Sequence, residues 1–172
     1  MRDPELLRQL SAHMEWADAK VWSAILAAEA ARDDPRPRDK LRHLHETQQQ
    51  YLGMWTGRPP RSAEDDVSLA AVYEWAQTFY PPARSFLDAT GAEAMAEAVS
   101  GVFAERMQHY LGPPQGTVTL ADTVIQVVTH TAHHRGQVMT RLREIGGEPP
   151  LVDYVIWLWS GTPAAAWDAV PR

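Results

Sequence analysis

The segment VVTHTAHHRGQVM, residues 127–139, carries three of the seven histidines of this 172-residue chain: His130, His133 and His134. Imidazole is the commonest protein ligand for divalent metals and the side chain that titrates nearest neutral pH, so the spacing matters. On a helix advancing about 100° per residue, residues four apart point the same way on successive turns. His130 and His134 then lie close enough to share one ion. The apolar stripe of that helix runs through Leu120, Val124, Val127, Val128, Thr131, Val138, Leu142 and Ile145. His134 falls about 50° from its centre and His130 about 90°, at the edge of a buried face; His133, at about 150°, faces solvent. The same His-x-x-x-His spacing also suits ordinary polar positions on a helix. The zincin pattern His-Glu-x-x-His is missing, since Thr131 stands where that motif carries its general base.

Two histidines do not complete a coordination sphere, so a third ligand has to come from another helix. RHLHETQQQYLGMW, residues 42–55, offers His43 and His45. Helix geometry slightly favours His45, which lies nearer the stripe of Leu41, Leu44, Leu52 and Trp55. His13 reads more simply as a half-exposed surface residue, and His109 lies in a segment without clear pattern. Cysteine is absent, which excludes disulfides, Cys-ligated zinc, iron–sulfur clusters and a Cys nucleophile. A metal would therefore be held by His, Asp or Glu.

The elements that must position these residues read as helices. The first spans about Pro4 to Ala31, with Asp3 as cap and a stripe of Leu6, Leu7, Leu10, Met14, Ala17, Val21, Trp22 and Ile25. ARDDPRPRD, residues 31–39, reads as a turn, and a second helix follows from about Asp39 to Trp55, ended by GRPP. A polar connection, RSAEDD, leads to a third helical region from Ser68 to Ala89, where Pro81 and Pro82 predict a break near Tyr80. Residues 90–118 show weak strand-like alternation in AVSGVFAERMQHYLG, then a GPPQG loop. The histidine helix starts at Thr119 and Asp122, a variant capping box, and stops at Gly146 and Gly147. DYVIWLW, residues 153–159, is a short apolar element able to pack on the body. The expectation is an all-α, antiparallel four-helix bundle with a short additional C-terminal helix, as one domain over residues 1–172.

Composition narrows the function. Net charge is −6, from 16 basic and 22 acidic residues, with no basic block, so a nucleic-acid partner is not expected. No run of about 18 apolar residues suggests a membrane span, and the charged start MRDPELLRQL is unlike a signal peptide, so a cytoplasmic setting is expected.

HTAHHRGQVMTRLREIGGEPPLVDY, residues 130–154, resembles the strongest signature of the DinB/YfiT-like metalloproteins: a His-x-x-x-His-Arg-Gly-Gln helix, a Gly-Pro turn and an Asp. AHMEWADAKVWSAI, residues 12–25, resembles that family's Trp-containing first helix, and LRHLHETQQQYL, residues 41–52, its second. The resemblance implies a four-helix bundle with a divalent metal held by three histidines. With Leu44 following and Gln48 five positions on, its register selects His43 with His130 and His134, whereas helix geometry alone prefers His45.

In the same helix Arg135 falls inside the apolar face and needs a buried partner, Asp153 or an acidic residue of the first helix. Gly136 suggests a close helix approach, and Gln137 can orient a ligand from outside the coordination sphere. Three neutral imidazoles leave a position open for water or substrate, and Ni²⁺, Zn²⁺, Fe²⁺ and Mn²⁺ all accept imidazole nitrogen. Relatives with thiol-dependent transferase activity imply that a small-molecule substrate and a low-molecular-weight thiol meet at the metal. Metal-assisted hydrolysis is the alternative, and a general base beside the metal, with Glu46 and Asp153 as candidates, would mark an enzyme of either kind. A non-catalytic metal-binding bundle acting through a homodimer is a third reading.

Overall fold

The computed structural model describes residues 3–61 and 68–167, so the RSAEDD connection lies mostly outside the described residues. Helix α1, Pro4–Ala27, begins where Asp3 accepts a hydrogen bond from the Glu5 amide at 2.9 Å and Pro4 occupies the first helical position. It ends earlier than its sequence pattern suggests, because Ala28 turns extended before the single turn α2, Glu29–Arg32. Helix α3, Pro35–Thr56, begins earlier than expected. Asp34 caps it, and Pro35 and Pro37 sit in its first turn. The opening amides of a helix have no intrahelical acceptor, so prolines there cost nothing, and the stretch resembling a turn is a helix start. Gly57, at φ 65°, closes α3 in the left-handed conformation.

The third region divides into α4, Leu69–Gln77, and α5, Tyr80–Ala89. The break at Thr78 and Phe79 falls where Pro81 and Pro82 require it, since both occupy the first turn of α5. Residues 90–118 contain no strand. They hold α6, Ala92–Met95, and α7, Val102–Leu111, and the strand-like alternation reduces to one isolated bridge between Ala98 and Thr119. Helix α8, Leu120–Glu144, carries the full capping box: Thr119 Oγ1 accepts from the Asp122 amide, and the Asp122 carboxylate accepts from the Thr119 amide. After Gly147 the chain reaches α9, Tyr154–Trp159, which is anchored by buried Trp157.

The fold is an all-α helical bundle. α1, α8, α3 and the α4–α5 pair form a ring. Arg141 meets Asp34 at one end of α3 and Thr123 meets Trp55 at the other, so α3 and α8 are antiparallel. α1 runs beside α8 in the same direction and against α5: Leu7 clusters with Val124 and Leu87, Met14 with Val127 and Phe79, and Trp22 with Val138. The buried side chains form three apolar layers. Leu7, Leu87 and Val124 belong to the first, Met14, Leu52, Phe79 and Val127 to the second, and Trp22, Leu41, Tyr73 and Val138 to the third. Between the second and third lies a buried polar layer: Asp18, His45, Gln48, Thr131 and Arg135. It stands at the same height along α3 and α8 as His43, His130 and His134.

Candidate metal centre

His43 projects from α3 and His130 and His134 from α8, across the antiparallel seam. Their ring centroids lie 5.5, 4.7 and 4.4 Å apart for the pairs 43–130, 43–134 and 130–134. One ligating nitrogen from each comes within 4.8 Å of the others. Imidazole nitrogens sharing one ion at about 2.0–2.1 Å stand a little closer than that, and the exposed His43 ring has room to turn inward.

The cluster carries one electrostatic signature. His130 Nε2 is buried and has no hydrogen-bond partner. A buried polar atom without a partner is costly, and with the ring proton on Nδ1 the Nε2 lone pair would be satisfied by a cation in the space it faces. Burial holds the His130 pKa down at about 4, with a smaller push from the rings of His134, His43 and His133. His134 is also lowered, first by burial. Both rings are therefore neutral at physiological pH, the state in which imidazole can ligate. The residues present fit a divalent cation.

His134 has a defined tautomer. A carbonyl oxygen can only accept, so the 2.9 Å contact between His134 Nδ1 and Gln137 Oε1 places the proton on Nδ1 and leaves Nε2 its lone pair. Gln137 thus holds the His134 ring in one orientation. His133 is exposed, as expected.

His45, the geometric alternative to His43, is excluded by its burial. It is fully buried, Trp22 Nε1 donates to its Nε2 at 2.9 Å, and its Nδ1 donates to Gln48 Oε1 at 2.7 Å. Both nitrogens are occupied, and burial lowers its pKa. Lying nearer the apolar stripe carries its ring into the core and away from the seam.

Gln48 turns its amide nitrogen toward Asp18 Oδ2 at 3.1 Å, Thr131 Oγ1 at 3.2 Å and the Tyr80 hydroxyl at 3.3 Å. One side chain of α3 therefore touches α1, α5 and α8. Asp18 also accepts from the Tyr80 hydroxyl and from Arg135 Nη1, the latter at 2.8 Å. Arg135 thus finds its partner on α1, and Asp153 plays no part in the pair. Asp18 and Tyr80 were missed in the sequence reading. The available signal was an Asp four residues after Met14, on the buried stripe of α1.

Two expectations are corrected. His13 is buried, with Nε2 2.9 Å from the Val152 carbonyl and an edge-to-face contact with Tyr154, because the C-terminal segment folds over its face of α1. A Cβ on Gly136 would meet nothing within 4 Å, so no close helix approach explains that glycine. Glu46 pairs with Arg42 at 2.9 Å, and Asp153 precedes α9; neither joins the cluster. His109 is exposed on α7.

The family model described as DinB family matches residues 4–167, a span that takes in all three clustered histidines. The chain belongs to the DinB family. No curated protein matches it significantly. Membership accounts for the helical bundle and for a histidine cluster able to hold a metal in this DinB protein. Among the described residues, no helix is long and apolar enough to cross a membrane.

Proposed function

We propose that this DinB-family protein binds one divalent metal through His43, His130 and His134 and transfers a low-molecular-weight thiol to a small electrophile. The observation that carries the reading is the convergence of the three imidazoles beside the buried, unpartnered Nε2 of His130. A three-histidine set leaves a position open, and an ion bound there would acidify a coordinated thiol or water or polarise a carbonyl. The chain's own contribution is to present neutral ligands, fix the His134 tautomer, and brace α8 from behind through Arg135, Asp18 and Gln48. With no cysteine in the chain, the sulfur has to arrive with a cosubstrate. In the transfer, sulfur forms a bond to the electrophilic carbon, the leaving group departs with its electron pair, and the thiol proton passes to solvent.

Thiol transfer is favoured over hydrolysis because, among the described residues, no carboxylate stands in the cluster as a general base for water. Ni²⁺, Zn²⁺, Fe²⁺ and Mn²⁺ all suit imidazole donors, and a reducing cytoplasm would supply the thiol. The exposed apolar side chains Leu151, Val155, Leu158 and Trp159 fit a homodimer contact.

The test loads the protein with each metal and measures consumption of several low-molecular-weight thiols with an activated alkyl or aryl halide. Metal-dependent turnover lost in His134→Ala is expected. No metal-dependent turnover with any thiol would refute transfer. Ester or amide cleavage in its place would establish the hydrolytic reading, and stoichiometric metal without either activity a non-catalytic bundle.

A further inference from the structure

His133 lies beside a ligand yet points away from the cluster, and by position alone it is a surface residue. Its contacts give it more to do. Gln137 Nε2 lies 3.0 Å from His133 Nε2, while Gln137 Oε1 receives the proton of His134 Nδ1 at 2.9 Å. The amide nitrogen can only donate, so His133 Nε2 is the acceptor. The three side chains form a directed chain: His134 Nδ1–H to Gln137 Oε1, then Gln137 Nε2–H to His133 Nε2.

A glutamine amide has two orientations related by a half-turn about its last torsion, with oxygen and nitrogen exchanged. Reversed, the amide would point its N–H at His134 Nδ1, and that nitrogen could answer only as an acceptor. The His134 proton would then sit on Nε2, where it blocks coordination. With its own proton on Nδ1, the ring at position 133 offers Nε2 as an acceptor, and that pairing selects the first orientation.

We infer that His133 is a positioning residue for the metal centre: by accepting from Gln137 it fixes the amide orientation that holds His134 in its ligating tautomer. This rests on the reading of His43, His130 and His134 as a metal site, and extends it one residue outward. Partners that directly orient a ligating histidine change metal affinity about 10–100-fold. The Gln137–His133 contact is solvent-exposed and one step further removed, so His133→Ala should weaken binding by about three- to tenfold.

The experiment measures Zn²⁺ affinity by chelator competition at pH 7.5 for wild type, His133→Ala, Gln137→Ala and the double variant. In parallel, long-range ¹H–¹⁵N correlation on the metal-free protein reads which His134 nitrogen carries the proton. Because position 133 is exposed, the substitution leaves the fold intact, and a thermal melt verifies this. The expected result is weaker binding and a larger Nε2–H population in His133→Ala, with no further loss when His133→Ala is added to Gln137→Ala. Wild-type affinity with an unchanged tautomer in His133→Ala overturns the inference. So does a loss of equal size in the Gln137→Ala background, which would mean that His133 acts without the amide. If wild type binds no stoichiometric Zn²⁺, the metal reading fails, and the tautomer measurement still decides whether His133 controls His134.

Discussion

Asp18→Asn is the sharpest probe of the polar layer behind the histidines. Asp18 is 3% exposed and Arg135 5%, and their oxygen and nitrogen lie 2.8 Å apart. The introduced amide nearly preserves shape but removes the only charge bonded to the guanidinium among the described residues. Breaking a buried pair from one side costs about 3–5 kcal/mol, because the remaining charge is left in a low-dielectric interior. A second effect has the same sign. Oδ2 of Asp18 accepts from both Tyr80 and Gln48, so an amide nitrogen there meets the Gln48 amide donor to donor. Thr131 gives Gln48 another acceptor, which keeps this term near the low end of the usual range, about 1 kcal/mol. A total of about 4–6 kcal/mol lowers the melting temperature of a chain this size by about 10–20 °C. Adding Arg135→Met removes the stranded charge, so the double variant should recover more than half of the loss, a non-additivity typical of residues in direct contact. Thermal and urea unfolding of the four proteins provide the measurement. A melting temperature for Asp18→Asn within 3 °C of wild type, or a double variant no more stable than Asp18→Asn, would refute this account of the layer.

Other predictions concern the helix that carries His130 and His134. His134→Ala should abolish stoichiometric metal binding in elemental analysis and shift the stability of the metal-free protein by less than about 1 kcal/mol, since the ring is only half-buried. Loss of the fold would show instead that the residue is structural. His130 should titrate near pH 4 in the metal-free protein, followed by its ring resonances. Because the folded pKa lies below the unfolded value of about 6.5, the stability that His130 contributes is complete above that pH. It is lost as pH falls toward 4, and a midpoint near 6.5 would contradict the burial argument. Gly136→Ala should stabilise the protein by up to about 1 kcal/mol, as alanine favours a helix interior and the new methyl meets open space. A lower melting temperature would restore the close approach that the sequence suggested.

Legibility followed burial. α8 could be read from its capping box, its stripe and its glycine stop because all three are local. α7 could not, because none of its residues is buried and a helix with no packed face leaves no periodic pattern. The start of α3 was read too late because Pro35 and Pro37 break helices everywhere except in the first turn, and only the cap at Asp34 distinguishes the two cases. His43 and His45 differ by two residues, and helix geometry favours the ring that faces the core. The His43 register came from the family resemblance, and Gln48, five positions on, proves to join all four sides of the bundle. Arg135 announced its need for a partner, but which carboxylate supplied it depended on tertiary contacts.

The seam that bears the histidines is pinned on both sides. Arg141 Nε donates to Asp34 at 2.6 Å toward one end, and Trp55 Nε1 donates to Thr123 at 2.9 Å toward the other. His43 lies nine residues from Asp34 and twelve from Trp55 in sequence, or about 14 and 18 Å along the helix axis. Neither strut depends on the three histidines. An ion bound there, as proposed, would therefore meet helices whose separation has already been set by folding, and little of its binding energy would go into drawing α3 and α8 together. Capture should be paced by the shedding of water from the ion, with an entropy change dominated by solvent, and the circular dichroism of the helices should be the same before and after loading.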